Sequence, residues 1–284
     1  MQPFFTEVLG APPQLGTATR NAFVLHGILG SSKNWYSFCR RLAQSLPGWR
    51  LILVDLRHHG DSQTDDKPDT LAACADDIAT LAHALNVEPD AVIGHSFGGK
   101  VALVYARAHA TPKLRDVWVL DANPSARDAH GEGGAETEHE VVSVLRMLRS
   151  VPTPIASRAA LTDTLTAAGY SAAFAGWMTT NLTPLPSGGF GWRFDLEGVQ
   201  RLLEAYFAED LWPFLEAQST AGMRVHMLRG ERSDRFSDAE IARLDRLATR
   251  GAMTHPVLAG AGHWVHVDAP DALSALLVQS LNGR

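Results

Sequence analysis

The chain has 284 residues, with 25 Lys and Arg against 31 Asp and Glu, for a formal net charge of −6. Hydrophobic residues at 45% and charged residues at 20% exclude a chain that is disordered as a whole, and the length suits either two folding units or one large α/β domain with an insertion. An acidic balance without a basic cluster disfavours nucleic acid as a partner. No run approaches the roughly 18 consecutive apolar residues of a membrane span, and the N-terminus lacks a basic region followed by an apolar run, so the expected location is cytoplasmic.

Residues 22–25, 51–54, 91–93 and 117–120 are short apolar runs, each followed by Gly, His or Asp, as buried parallel strands end when functional loops follow them. Helical patterns at 34–46, 71–85 and 97–109 lie between them, which predicts a parallel sheet. After Asp121 the rhythm breaks: Pro124, an acidic and glycine-rich stretch at 131–140, and helical patterns near 141–149, 155–168 and 196–208, with no strand signal of comparable strength. Alternation resumes with a strand at 224–228, a helix at 238–249, a strand near 256–258 and a closing helix at 272–281. The reading is an α/β fold with a mostly parallel central sheet flanked by helices, residues 1–121 and 213–284 forming the core and 122–212 an inserted helical cap. Between 122 and 212 there are 6 Arg and no Lys against 11 Asp and Glu, a net −5 that favours neutral over dianionic substrates. Cys39 and Cys74, neither in a Cys-x-x-Cys pair, are expected to be buried thiols.

Gly94-His95-Ser96-Phe97-Gly98 lies between a predicted strand and a predicted helix, the context of a nucleophile elbow. There the serine is lifted out of the sheet on a strained backbone, and small residues two before and two after it let strand and helix approach. A serine hydroxyl needs an imidazole to take its proton. His263, in Gly262-His263-Trp264 after the last strand, fits better than His266 because the preceding glycines free the loop. The acid that holds the imidazole has two candidates: Asp121, which ends a strand, and Asp234, beyond the strand at 224–228. Spacing does not choose between them. Oxyanion donors are expected from the Phe97 amide at the helix start and the Ile28 amide, where Gly27 allows a sharp turn.

The strings His26-Gly-Ile-Leu-Gly-Ser31 with Asn34 and Trp35, Asp55-Leu-Arg57-His-His59-Gly-Asp-Ser62, Gly94-His-Ser-Phe-Gly-Gly-Lys100 and Gly262-His-Trp-Val-His266 together resemble the α/β-hydrolase superfamily. Within it the chain is similar to small acyl esterases of the YbfF and abhydrolase-domain type. The resemblance implies Asp121 as the triad acid, although many other members place it after the next strand, where Asp234 stands. It also implies that Arg57 and Asp61 pair to brace the loop beside the oxyanion strand.

Haloalkane dehalogenases and epoxide hydrolases are disfavoured, because the elbow residue is serine and Leu29 replaces their usual proline. Lactonases, carbon–carbon bond hydrolases and perhydrolases would use the same triad, and a ligand-binding protein of this fold is the non-enzymatic alternative. The histidines include no His-Glu-x-x-His, and there is no dinucleotide or Walker fingerprint, so no metal and no cofactor are expected. The expected activity is hydrolysis of small or medium, largely apolar carboxylic esters through an acyl-enzyme. Trp177, Met178, Phe190, Trp192 and Phe207 are candidates for an apolar acyl site in the cap.

Overall fold

The computed structural model describes residues 1–12, 19–62, 64, 68–127, 136–218 and 222–283, so the first half of the acidic stretch at 131–140 lies outside the described residues. The first half of the chain runs β1 (Phe5–Leu9), β2 (Arg20–Leu25), α1 (Ser32–Leu42), β3 (Trp49–Val54), α2 (Leu71–Ala84), β4 (Ala91–His95), α3 (Phe97–His109) and β5 (Asp116–Leu120). Then follow α4 (Glu136–Ser150), α5 (Arg158–Ala167), α6 (Ala172–Thr179), β6 (Leu182–Pro184), β7 (Phe190–Trp192) and α7 (Leu196–Ala208). The chain closes with α8 (Trp212–Glu216), β8 (Arg224–Gly230), α9 (Asp238–Thr249), β9 (Val257–Leu258), α10 (Val265–Asp268) and α11 (Pro270–Asn282).

Seven strands form one sheet in the order β1-β3-β2-β4-β5-β8-β9, parallel except for β1. Alternate residues along each strand face opposite helical layers. Phe23, Leu25, Ile52, Val54 and Val92 pack with α2, α3, α8 and α9, while Ala22, Val24, Leu51, Leu53, Ala91 and Ile93 pack with α1 and α11. With both faces covered, the strands lose the apolar–polar alternation of a half-buried sheet and appear as continuous apolar runs.

Three features of the fold add to or differ from the elements that the sequence patterns predict. The edge strand β1 pairs antiparallel with β3, Phe5 opposite Val54, and most of its residues are partly exposed, so it carries no apolar run. The first helix spans Ser32–Leu42 and ends in a 3₁₀ turn, Ala43–Ser45, instead of continuing from 34 to 46. Between β5 and β8, where no strand is expected, β6 and β7 form a hairpin of three residues per strand; Pro184 and Gly191 mask it in the sequence.

The stretch from α4 to α7 buries a further apolar cluster, including Leu148, Leu161, Leu165, Met178 and Val199, which Leu29 of the core joins. Polar contacts seat it on the core. The fully buried Lys100 of α3 donates from Nζ to the carbonyls of Ser125 (2.7 Å), Tyr206 (2.7 Å) and Glu209 (2.8 Å), which tethers both ends of the insertion. Asn181 Nδ2 donates to Leu29 O at 3.1 Å, and a Cβ on Gly198 of α7 would lie 2.1 Å from Nδ1 of His58, so only glycine allows this approach.

The loop beside the oxyanion strand is braced differently from the expected Arg57–Asp61 pair. Arg57 Nε donates to Asp77 Oδ2 at 2.8 Å, and both side chains are buried, whereas Asp61 faces Arg193 at 3.4 Å and Lys33 at 3.9 Å. Arg57 turns inward because α2 offers it a buried carboxylate. Asp55 takes the bracing role, accepting from the amides of Ser32 (2.6 Å) and Asp61 (2.9 Å).

Candidate active site

Ser96 occupies the turn from β4 to α3 with φ 50° and ψ −117°, a strained conformation for a residue with a side chain. The turn closes so tightly that a Cβ on Gly94 would lie 2.0 Å from Gly98 O, and one on Gly98 would lie 2.6 Å from His26 O. Substitution at either glycine therefore forces strand, helix and oxyanion loop apart. Ser96 N donates to Leu120 O at 2.9 Å, which ties the elbow to the neighbouring strand.

At the end of that strand Asp121 also takes a left-handed conformation, φ 53°, and its carboxylate is buried. Oδ2 accepts from His263 Nδ1 at 2.8 Å and from Ser233 Oγ at 2.6 Å, and Oδ1 accepts from Gly230 N at 2.8 Å. Asp234 points elsewhere: its carboxylate is 59% exposed and lies 3.8 Å from Arg235 Nε. Geometry thus brings together Ser96, Asp121 and His263, with Asp234 outside. His266 stacks on Trp35 at 4.1 Å between ring centroids and is buried, away from Asp121's hydrogen bonds.

The His263 ring, with Nδ1 held by Asp121, has Nε2 for a second partner. Burial pushes its pKa below the ordinary imidazole value; the Asp121 hydrogen bond pulls it back up, and the nearby Arg235 guanidinium pushes it down. His95 fixes the loop that carries it, its Nε2 donating to His263 O at 2.9 Å.

The oxyanion loop is held by two neutral histidines. His26 Nε2 accepts from Leu56 N at 3.0 Å and His59 Nε2 from Leu29 N at 3.1 Å, while each Nδ1 donates to a carbonyl, of Gly27 (2.7 Å) and Arg57 (2.8 Å) respectively. Burial lowers their pKa values to about 4 and about 3, consistent with ring nitrogens that must accept. The amides of Ile28 and Phe97 donate to no acceptor among the described residues, so both are available to a ligand oxygen.

Two cavities meet at Ser96 and His263, and Ile28, Val141 and Arg235 line both. One adds Asp121, Asn123, Leu203, Tyr206 and Phe207; the other, about 130 Å³, adds Gly27, Leu29, His95, Val144, Phe174, Trp177 and Trp264. Of the five cap residues expected in the wall, Trp177 and Phe207 are there. Met178 is fully buried in the insertion's cluster, and Phe190 and Trp192 pack against that cluster from the hairpin. Cys39 and Cys74 are buried away from the site, and burial pushes both thiols up.

Ser233, Arg235 and His95 join the site although no sequence pattern marks them as site residues. For Ser233 and Arg235 the only sequence signal is proximity to Asp234 in a loop after a core strand, and the bonds that tie them to the site, to Asp121 and Asn123, reach residues more than 100 positions away. Among the described residues no group of three or more His, Cys, Asp or Glu side chains is arranged to hold a metal ion, and no described helix is long and apolar enough to cross a membrane.

A parallel sheet with a strained serine between its central strand and the following helix, an acid after the next strand and a histidine after the last defines an α/β-fold hydrolase. The chain belongs to the α/β-hydrolase fold family, whose pattern it matches over residues 23–155. It is 30% identical over 246 residues to the sn-1-specific diacylglycerol lipase ABHD11 of Xenopus tropicalis, covering 86% of this chain and 72% of that protein. It is 26% identical over 271 residues to esterase YbfF of Escherichia coli strain K12, covering 91% and 92%. Among solved structures, a marine microorganism esterase superposes with a TM-score of 0.81 at 22% identity, covering 98% of this chain and 99% of that one.

Proposed function

We propose that the protein hydrolyses carboxylic esters through an acyl-enzyme, with Ser96 as nucleophile, His263 as general base and acid, Asp121 as the group that orients and stabilises the imidazolium, and the Ile28 and Phe97 amides as oxyanion donors. The observation that carries this reading is the 2.8 Å contact of His263 Nδ1 with buried Asp121, next to a strained Ser96 and two amides that find no acceptor among the described residues. In the reaction His263 Nε2 takes the Ser96 proton as Oγ attacks the ester carbonyl, and the oxyanion forms between the two amides. The imidazolium then gives its proton to the leaving alcohol. Water repeats both steps to release the acid and restore Ser96.

The similarity to a lipase and an esterase supports an ester as the substrate, and the apolar wall formed by Leu29, Val144, Phe174, Trp177 and Trp264 supports a small or medium acyl group. Hydrolysis of p-nitrophenyl butyrate by wild type and Ser96→Ala tests the reading. Turnover should fall by a factor on the order of 10⁴ or more. Equal turnover by the two proteins would overturn it.

A further inference from the structure

Arg235 lies in the loop between β8 and α9, outside the acidic insertion, and lines both cavities beside Ser96. Its side chain is only 19% exposed, yet its enclosed Nε has no hydrogen-bond partner, and no other hydrogen bond from the guanidinium is made within the described residues. Among the described residues its ion-pair contact within 4 Å is with Asp234, 3.8 Å from Nε and mostly in solvent. At that distance no hydrogen bond forms, and an ion pair so exposed contributes little.

The peptide that carries the guanidinium is rigidly placed. Arg235 O accepts from Asn123 Nδ2 and from an Arg127 guanidinium nitrogen, each at 2.8 Å, and Arg235 N donates to Ser233 Oγ at 3.3 Å. Ser233 Oγ in turn donates to the Asp121 oxygen that holds His263. Arg235 is therefore built into the same frame as the reacting groups. A planar fork of donors that is four-fifths buried and faces a cavity is matched by a carboxylate, which accepts two parallel N–H bonds.

We propose that Arg235 determines specificity by binding a carboxylate on the substrate, so that half-esters of dicarboxylic acids are preferred over neutral esters of the same size. This deepens the ester-hydrolase reading and rests on it. It replaces the expectation of neutral substrates drawn from the net −5 of residues 122–212, because part of that charge is paired at the surface, as in Arg149 with Glu197 and Arg107 with Glu209, and because Arg235, a cation, lines both cavities.

The test compares monomethyl glutarate with dimethyl glutarate at pH 8, by calorimetric binding to Ser96→Ala and by kcat/KM with Ser96 intact. Monomethyl glutarate should bind at least about tenfold more tightly than the diester, a range typical of hydrogen bonds to charged groups. The same ratio should appear in kcat/KM, chiefly through KM, and should shrink with added sodium chloride. The binding ratio should fall to near one in Ser96→Ala/Arg235→Met and stay intermediate in Ser96→Ala/Arg235→Lys, whose retained charge also controls for folding. Equal binding of the two esters by Ser96→Ala, or a ratio unchanged by Arg235→Met, would overturn the proposal. The binding ratio does not depend on turnover, so it decides the role of Arg235 even if wild type hydrolyses neither ester, a result that would count against the ester-hydrolase reading instead.

Discussion

The sheet core buries its strands between two helical layers, whereas the described part of residues 122–212 gathers a further apolar cluster, joined by Leu29 of the core, and is seated on the core by the packing of Leu202 and Leu211 and by polar contacts from Lys100, Asn181 and the loop around His58. Both regions line the cavities beside Ser96, but they supply different things. From the core come Ser96, Asp121, His263 and the two amides, with Ser96 and Asp121 held at positive φ by the strands that precede them. From the insertion come Val141, Phe174, Trp177, Leu203, Tyr206 and Phe207, which are walls. Strained reacting groups need a surround that over-determines them, and a sheet covered on both faces provides it. A wall needs only shape, so the insertion can vary without moving the chemistry.

The largest test of this division is Asp121→Asn against Asp234→Asn. The amide at 121 would present the wrong partner to His263 Nδ1 and cost up to about 10⁴-fold in kcat, while Asp234→Asn, in an exposed side chain, should stay within about twofold. Steady-state kinetics on p-nitrophenyl butyrate measures both. A larger loss at Asp234 would detach the acid from the strand end.

The same division governs what could be read in the sequence. Strands β2, β3, β4, β5 and β8 were legible because double burial makes them apolar runs, and the Gly94–Gly98 elbow because its close approaches admit only glycine. The hairpin β6–β7 was not, since strands of three residues that contain Pro184 and Gly191 carry neither period nor propensity. Asp121 and Asp234 were equivalent by spacing, and only the fold shows which one faces His263. The Arg57–Asp61 pair that the resemblance implies is not made, because Asp77 of α2, remote in sequence, offers Arg57 a buried carboxylate.

Lys100 is where the two regions are joined, so Lys100→Met should break the comparison most directly. It removes three charge-assisted bonds and leaves the carbonyls of Ser125, Tyr206 and Glu209 without that donor. A loss of about 3 kcal/mol in urea denaturation is expected. A loss under about 1 kcal/mol would mean that the insertion is held elsewhere.

Acid should weaken the core through its histidines. In the unfolded chain His26, His59 and His266 take up protons near 6.5, but in the folded protein only near 4, 3 and 4, because burial disfavours the charged ring. The unfolded state binds more protons between those values. Stability present above about pH 6.5 is therefore lost as pH falls toward 4 and then 3. Urea midpoints at pH 7.5 and pH 5 should differ accordingly, and equal midpoints would contradict the burial of neutral rings. Activity has its own profile: His263 is shifted down by burial, so the acid limb of kcat/KM should lie below the ordinary imidazole value, and lower again in Asp121→Asn, which loses the bond that raises it.

Ser233→Ala gives the smallest and most discriminating effect. Its hydroxyl is one of three donors to the Asp121 carboxylate, with Gly230 N and His263 Nδ1, and it shares Oδ2 with the histidine. Removing it leaves Asp121 buried and still bonded twice, so the fold should survive. The carboxylate would hold more of its negative charge toward His263, which raises the imidazole pKa, but it would lose a restraint on its orientation. Roughly tenfold lower kcat is expected, the size of one hydrogen bond to a charged acceptor, together with an acid limb moved to higher pH. A purely structural serine in a turn would move neither, since its loss would appear in the melting temperature alone. The Arg235 amide also loses its acceptor in this variant. If Arg235 reads the substrate carboxylate, KM for monomethyl glutarate should rise while KM for dimethyl glutarate holds, and that split separates the positioning of the acid from the positioning of the guanidinium.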